Sequence, residues 1–119
     1  MSVAGSLNET QLALDVISAW RYHKDFMIRS FRDDETERLF RRERVKRLDR
    51  KLQRVALRKL LLIDAAESLE DLRFPSGNRL EKLAGDRAGE YGIRINDRWR
   101  VCFRWEDAGA HDVEIVDYH

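Results

Sequence analysis

The feature of this sequence that most constrains its fold is a period-two alternation of apolar and polar residues in the C-terminal quarter. The alternating apolar positions form three segments: Tyr91, Ile93 and Ile95; Trp99, Val101, Phe103 and Trp105; and Val113 and Ile115. Because successive side chains of a strand point to opposite faces, each segment predicts a strand with one apolar face. With a further candidate strand from Arg79 to Leu83, the pattern predicts an antiparallel sheet that buries one face.

Helical periodicity dominates the preceding segment. Asp33 and Asp34, followed by more acidic residues, predict a helix start, where carboxylates meet the positive end of the helix dipole. Leu39 and Phe40 of this helix would face inward. A longer helix is predicted over residues 45–67, where apolar residues recur at helical spacing without Gly or Pro.

Shorter segments flank these helices. Ile28 to Phe31 is a candidate strand, Leu69 to Leu72 adds a turn, and the breakers from Phe74 to Asn78 end the helical half. The sequence therefore predicts an α+β fold in which a helical hairpin packs on one face of an antiparallel β-sheet.

Composition narrows the possible functions. The 119 residues, 43% of them hydrophobic, suffice for one core, and the formal net charge of +1 favours neither a nucleic-acid binder nor a membrane binder. The single Cys102 excludes an internal disulfide, and three scattered histidines form no spaced ligand set with it, so we expect neither a metal nor another cofactor. No apolar run approaches the ~20 residues of a membrane span, so we expect a cytoplasmic protein.

Residues 1–26 differ from the rest of the chain, which divides into this N-terminal extension and a domain of residues 27–119. The extension could form one helix with few packing partners. Alternatively, Met27 is the natural start and the extension is upstream sequence.

Face matching predicts how the strands pair. A two-residue loop after Ile95 would set apolar against polar side chains, whereas a three-residue loop pairs Ile95 with Trp99 and Arg94 with Arg100. For the next two strands the matching predicts four pairs: Trp105 with Val113, Phe103 with Ile115, Arg104 with Glu114, and Arg100 with Tyr118.

The predicted pairing of Arg94 with Arg100 indicates a function, because like charges facing each other destabilise a sheet. Tyr118 would lie on the same exposed face, with His119 beside it at the chain end. Two guanidiniums can bind a phosphate, Tyr118 can stack on a base or transfer a proton, and His119 can exchange protons near neutral pH. Taken singly, each residue is ordinary surface or packing. As a row they suit metal-free RNA cleavage, in which a 2′-hydroxyl attacks the adjacent phosphate.

Positive charge is concentrated in the helical half. Residues 38–59 contain eleven Lys or Arg against Glu43 and Asp49, a local charge of +9. A solvated helix face normally mixes signs, and this one does not. The run therefore predicts a surface for RNA or for an acidic partner, carried by Arg47, Lys51, Arg54 and Arg58.

Five segments of the chain together resemble the HigB toxins, the killer proteins of bacterial type II toxin–antitoxin modules within the RelE superfamily. They are Met27-Ile28-Arg29-Ser30-Phe31, Asn78-Arg79-Leu80-Glu81-Lys82-Leu83, Gly85-Asp86-Arg87, residues 93–101 (Ile-Arg-Ile-Asn-Asp-Arg-Trp-Arg-Val) and residues 113–119 (Val-Glu-Ile-Val-Asp-Tyr-His). The resemblance covers Met27 to His119.

The resemblance implies a RelE-like fold and an mRNA endonuclease that acts at the ribosome. The family's C-terminal Asp, Tyr and His match Asp117, Tyr118 and His119, and its basic sheet positions match Arg94 and Arg100. Lys82 and Arg87, which lie in the matching segments, are assigned to RNA binding. Some members carry a catalytic His where this chain has Glu81, so Glu81 either takes the proton itself or leaves a weak nuclease.

Two functions stay open at this point. One is a toxin that inhibits translation by ribosome-dependent, metal-independent mRNA cleavage; the other is a ribosome-binding growth inhibitor with little or no cleavage. A DNA-binding regulator is weaker, because no helix-turn-helix pattern is present. The implied partners are a HigA-like helix-turn-helix antitoxin, the ribosome and mRNA, with operator DNA contacted only through the antitoxin and no membrane.

Overall fold

The computed structural model describes residues 28–118 and has the α+β architecture that the sequence predicts. The helices are α1 (Asp34–Phe40) and α2 (Arg50–Ala65), followed by 3-10 turns at Leu69–Arg73 and Ser76–Asn78. One antiparallel sheet has the order β1 (Glu81–Lys82), β2 (Tyr91–Arg94), β3 (Trp99–Glu106) and β4 (Gly109–Asp117), with a 3-10 turn at Gly85–Arg87. The extension of residues 1–26 and His119 lie outside the described residues.

One apolar core lies between the two helices and the predicted apolar face of the sheet. Its members include Leu39, Ala56, Leu60, Ile63, Ile93, Val101, Phe103, Val113 and Ile115. The functional outer face of the sheet is therefore the one that points away from the helices. No helix within residues 28–118 has the length and apolarity needed to cross a membrane.

Helix α1 begins where the acidic run predicts. The side chain of Asp33 accepts a hydrogen bond from the Thr36 N–H at 3.1 Å, and three acidic residues occupy the first turn. A carboxylate at this position satisfies an unpaired N–H and favours the positive end of the helix dipole. Leu39 is buried and Phe40 is half-buried against the core, as predicted.

Helix α2 begins five residues later and ends two residues earlier than predicted. Asp49 caps it by accepting the Leu52 N–H at 2.7 Å, because a short acidic side chain competes for backbone N–H groups and favours a helix start over a helix interior. Val45 and Leu48 are buried all the same. The Gln53 side chain replaces helical hydrogen bonds by accepting the Val45 N–H at 2.9 Å and donating to the Leu48 carbonyl at 3.1 Å.

Two predicted strands are shorter in the structure. The segment from Ile28 to Phe31 makes only isolated parallel bridges with β4, because Asp112 bends β4 with a positive φ of 54° and interrupts the ladder. The first predicted strand, residues 79–83, is reduced to β1, because Arg79 has a left-handed backbone with φ of 47° at the end of the preceding turn.

The predicted register between β2 and β3 is confirmed. Ile93 lies opposite Val101 and Arg94 lies opposite Arg100. The three-residue loop closes with a hydrogen bond of 2.9 Å from the Ile95 N–H to the Trp99 carbonyl.

The predicted register between β3 and β4 is wrong by two residues from Trp99 to Cys102 and by three residues from Arg104 to Glu106. The structure pairs Val101 with Ile115, Cys102 with Glu114, Arg100 with Val116, Arg104 with His111, and Trp105 with Ala110. The predicted partners Val113 for Trp105, Ile115 for Phe103, Glu114 for Arg104 and Tyr118 for Arg100 are therefore replaced. A bulge takes up the odd residue, so Val113 and Ile115 still enter the core.

Two backbone features cause this shift. Asp107 and Ala108 both have positive φ, 53° and 56°, and form a tight two-residue turn. The predicted pairing of Trp105 with Val113 required a longer loop at this point. A bulge between Cys102 and Arg104 then adds one residue to β4.

Candidate active site

The outer face of the sheet carries the predicted arginine pair. Arg94 forms an ion pair with Asp97, and Nη1 of Arg100 donates to the carbonyls of Asn96 at 2.7 Å and Trp99 at 3.3 Å. The two arginines occupy directly opposite positions of adjacent strands. Their mutual repulsion favours an anion between them.

The Nε atom of Arg100 is an unsatisfied donor. Within residues 28–118 it is buried and has no hydrogen-bond partner, and Oε1 of Glu81 lies 3.9 Å from it, beyond hydrogen-bond distance. The Arg100 side chain is 17% exposed and the Glu81 side chain 46%. Because an unpaired buried donor costs free energy, this N–H is arranged for an acceptor that a ligand would supply.

Glu81 approaches Arg100 from the edge strand. It pairs with Gly92 of β2. Gly92 has no side chain to come between Glu81 and β3. The structure therefore brings together a carboxylate and a guanidinium that lie nineteen residues apart in the sequence.

Tyr118 also contacts Arg100, although the two are not directly opposite. The Tyr118 N–H donates to the Arg98 carbonyl at 2.6 Å, which continues the β3–β4 ladder past Asp117. The phenol ring leans across so that its centroid lies 5.4 Å from Cζ of Arg100, a cation–π contact. The two side chains are therefore in contact, as predicted, but diagonally across the strands and not as a directly opposite pair.

Asp117 is separated from the arginine pair. Its carboxylate accepts two hydrogen bonds from Arg98, at 2.9 Å from Nε and 2.7 Å from Nη2, and these bonds raise the pKa of the guanidinium. Asp117 lies opposite Trp99, on the other face from Arg100. His119 follows directly and lies outside the described residues, so its predicted role stays a prediction.

Lys59 of α2 is a basic group that the sequence analysis did not assign to the site. Its Nζ donates to Oδ1 of the buried Asn78 at 2.5 Å. Burial lowers the pKa of Lys59, and the positive charges of Arg58 and Arg94 lower it further, which places the amine in the electrostatic field of the arginine pair. Helical spacing could have indicated this, because Ala56 and Ile63 put Lys59 at the border of the buried face.

Arg87, predicted to bind RNA, is engaged inside the protein. It donates to Glu90 at 3.0 Å and to Glu114 at 3.2 Å, and Arg32 pairs with the same two carboxylates. This network covers Cys102, and burial raises the pKa of its thiol to about 11. The other residue predicted from that region, Lys82, is exposed on β1.

The four predicted cations of the helical half divide into two groups. Arg47 binds Glu35 at 2.6 Å, donates to the Ile115 carbonyl at 3.1 Å and lies over the Trp99 ring, so it joins α1, β3 and β4. The side chains of Lys51, Arg54 and Arg58 are exposed on α2 and make no ion pair or hydrogen bond within residues 28–118.

A groove of about 380 Å³ lies where the end of α1 meets α2. Its wall combines apolar and basic side chains: Leu39, Leu57, Arg42, Arg44, Arg50 and Arg54, together with Glu43 and Gln53. The groove is on the helical side of the molecule, so the protein has two separate basic surfaces.

The arrangement on the sheet suits phosphate chemistry. Arg94, Arg100 and Lys59 supply positive charge, Glu81 can accept a proton, and Tyr118 can donate one. No group of three His, Cys, Asp or Glu side chains in the described part of the chain could hold a metal ion.

Comparisons with known proteins identify relatives of this chain. A family model described as the RelE-like toxin of the type II toxin–antitoxin system HigB matches residues 21–119. Toxin HigB-1 of Vibrio cholerae is 36% identical over 85 residues, which cover 71% of this chain and 90% of that protein. Endoribonuclease HigB of Proteus vulgaris is 31% identical over 61 residues, 51% of this chain and 65% of that protein. In the YoeB–YefM complex from Staphylococcus aureus, one chain has a similar fold, with a TM-score of 0.52 at 22% identity, covering 81% of this chain and 99% of that one.

Proposed function

This chain belongs to the HigB-like family of RelE-like toxins from type II toxin–antitoxin systems, and we propose that it inhibits translation by ribosome-dependent, metal-independent cleavage of mRNA. The observation that carries the proposal is the state of Arg100. Its largely buried guanidinium keeps an unsatisfied N–H and lies near the Glu81 carboxylate and the Tyr118 ring, and the residue lies directly opposite Arg94 in the sheet. A phosphodiester supplies the negative charge and the acceptor atoms that this arrangement lacks.

In the proposed reaction the 2′-oxygen of RNA attacks the adjacent phosphorus. Glu81 accepts the proton of the 2′-hydroxyl while the new P–O bond forms. Arg94 and Arg100 stabilise the charge that builds on the phosphate oxygens. The bond from phosphorus to the 5′-oxygen breaks, and Tyr118 or His119 donates the proton that this oxygen needs. The products are a 2′,3′-cyclic phosphate and a 5′-hydroxyl.

His119 and Asp117 complete the family's C-terminal set in this proposal. His119→Gln keeps a hydrogen-bonding side chain but cannot transfer a proton at neutral pH, so cleavage should slow by about 10² to 10⁴ while RNA binding survives. Cleavage by this variant at the wild-type rate would assign the acid to Tyr118. Asp117 acts by holding Arg98 at the end of the sheet.

The second candidate is a ribosome-binding inhibitor that cleaves slowly or not at all. Glu81 favours it, because a carboxylate is intrinsically a weaker base than the imidazole that some members of the family carry at this position. In that case the basic surfaces act by occupying a ribosomal site.

The proposed partners are the ribosome, mRNA and a HigA-like antitoxin, with operator DNA contacted through the antitoxin, in the cytoplasm. The groove beside α1 supports an acidic antitoxin segment, since its four arginines make no ion pair within residues 28–118 and its leucines offer an apolar floor. Arg54, Arg58 and Lys51 extend this basic surface along α2. Lys82 extends the RNA surface on the sheet, next to Glu81.

The experiment that tests the proposal maps the 5′ ends of cellular mRNA after a pulse of expression. New ends in phase with codons are expected for the wild type and absent for Arg100→Ala. Arg104→Ala is the matched control, because Arg104 lies on the same strand and face but pairs with Asp112 and Glu106, away from Glu81. Growth arrest without new ends would favour the binding inhibitor.

A further inference from the structure

Phe74 is exposed in a way that an aromatic side chain of a small domain seldom is. Its relative exposure is 72%, the largest among the big hydrophobic residues of the described chain. Leu61 and Tyr118, the other two such residues, are 36% and 38% exposed. Burying a phenylalanine ring is normally favourable, so an exposed ring on a rigid segment is available to a ligand.

The segment that holds Phe74 is tightly anchored. The buried side chain of Asn78 donates from Nδ2 to the carbonyls of Leu72 and Phe74, both at 3.1 Å. Leu72 is 1% exposed and anchors the turn in the core. At the start of the segment, Asp71 accepts the N–H groups of Glu67 and Ser68 at 2.9 and 3.2 Å. The ring is therefore presented on a rigid support.

The same support leads to the arginine pair. Carbonyl oxygens can only accept, so the Asn78 amide must turn its NH₂ to Leu72 and Phe74 and its oxygen to Lys59. The Phe74 carbonyl and Nζ of Lys59 thus bind the two ends of one amide group. The turn Ser76–Asn78 contacts β2, the strand that carries Arg94. A phosphate bound to Lys59 would therefore lie close to the residue that carries the exposed ring.

We propose that Phe74 is a stacking platform for one nucleobase of single-stranded RNA, and that Lys59 binds the phosphate of that nucleotide. This inference deepens the proposed function and rests on it, because it adds a base subsite to the RNA surface of the sheet. Every base has a flat π-face, so the platform would add affinity without reading the sequence.

The surroundings of the ring favour a nucleotide over a protein partner. A docking protein needs a continuous apolar patch, whereas Phe74 is flanked by Arg73, Pro75, Ser76 and Gly77. Arg79, a few residues on, is exposed and makes no side-chain ion pair within residues 28–118. Arg73 is paired with Glu70 at 2.8 Å, so Lys59 and Arg79 are the cations that remain for a phosphate beside an exposed aromatic ring, a combination that suits single strands.

The test measures the affinity of the full-length protein for a short 2′-O-methyl RNA, which cannot be cleaved through its 2′-oxygen. Phe74→Ala and Phe74→Leu should weaken binding by about 5- to 150-fold, the effect of one lost base stack, whereas Phe74→Tyr should stay within about twofold of the wild type. Leu61→Ala, which removes an exposed apolar side chain from α2, is the matched control. Because the Phe74 ring is exposed, these variants should unfold at the wild-type temperature.

A second measurement identifies the base. An abasic nucleotide is placed at each position of the RNA in turn. At one position the abasic nucleotide should weaken wild-type binding as much as Phe74→Ala does. The same nucleotide should not weaken the binding of the Phe74→Ala variant any further. The inference is overturned if Phe74→Leu binds like the wild type, if no position is coupled to Phe74, or if the wild type does not bind. It is also overturned if Phe74→Ala loses only its affinity for the antitoxin.

Failure of this inference and failure of the proposed function give different results. If Phe74→Ala binds RNA with wild-type affinity and still cleaves mRNA in phase with codons, the stacking role of Phe74 is rejected and the nuclease function is retained. If Phe74 is coupled to one base but the wild-type protein produces no new mRNA ends, the stacking role is retained and the nuclease function is rejected.

Discussion

Arg100→Ala is expected to separate activity from stability. Arg100 is largely buried on the sheet, so a structural residue at this position would lose stability when truncated. The surroundings of Arg100 predict instead that the fold survives and cleavage does not.

The expected magnitudes follow from the contacts. The substitution removes one charged donor, Nη1, whose bonds to two backbone carbonyls count together as ~1.5–3 kcal/mol because the second is long at 3.3 Å, and it removes a cation–π contact of ~0.5–1 kcal/mol. It also removes the opposition to Arg94, ~0.2–1 kcal/mol, and an unsatisfied buried Nε that costs ~1–3 kcal/mol. The central values cancel to within about 1 kcal/mol, so the melting temperature should move by no more than about 8 °C.

The activity loss should be far larger. A donor that stabilises transition-state charge is typically worth about 10² to 10³ in rate. We expect this loss in kcat/KM on ribosomes programmed with a defined mRNA, measured beside thermal unfolding of the same sample. Arg100→Lys keeps the charge without the planar fork and should recover only part of the rate.

Three results would refute this reasoning. Arg100→Ala could retain more than about a tenth of the wild-type rate, which would remove Arg100 from the transition state. Arg104→Ala could lose as much activity, which would show that the loss in Arg100→Ala reflects only the total positive charge on the outer face of the sheet. Loss of the fold in Arg100→Ala would show that the contacts of Arg100 stabilise the folded state by more than the free energies given above.

Further perturbations test other parts of the molecule. Glu81→Gln keeps the size of the side chain, and if Glu81 is the base it should slow cleavage by about 10² to 10⁴ on programmed ribosomes; an unchanged rate would assign the base elsewhere. The double reversal Arg54→Glu and Arg58→Glu should weaken ribosome association and flatten its salt dependence with less than about 0.5 kcal/mol of stability lost, and unchanged co-sedimentation across a salt series would contradict it. Arg47→Ala should do the opposite and lower stability, because it removes an ion pair and a hydrogen bond to β4. Burial raises the pKa of the Cys102 thiol from 9.0 to about 11, so between pH 9 and pH 11 the thiol ionises in the unfolded chain but not in the folded one. The free energy of unfolding should therefore fall by up to about 3 kcal/mol over this range, relative to Cys102→Ala. Equal pH dependence of urea unfolding in the two proteins would refute this.

Several elements of the fold could be derived from local sequence alone. The alternation in β2 and β3 assigned each side chain to its face, because a strand has a period of two. The start of α1 followed from Asp33, whose side chain caps the helix whatever packs around it. The β2–β3 register followed from the mismatch that the shorter loop would create. From that register came the opposition of Arg94 and Arg100, the centre of the candidate site.

The remainder depended on interactions between distant segments. From Trp99 to Cys102 the register shift is two residues, which leaves every face unchanged, so the pattern could not distinguish the true β3–β4 pairing. That pairing was decided by backbone conformation at Asp107, Ala108 and Asp112, where the turn and the bulge lie. A basic run likewise looks uniform in sequence. Only packing against the sheet engages Arg47 in the interior and leaves Arg54 exposed.

The composition of the candidate site shows the same division. The sequence by itself determined which residue types face outward from the sheet, because that depends on strand periodicity. Tertiary structure decided that Glu81 lies 3.9 Å from Arg100 and that Lys59 binds Asn78, across sequence separations of 19 residues in each case. Such contacts depend on how strands and turns are placed in space, and no local preference of the chain encodes the distance between two side chains on different elements.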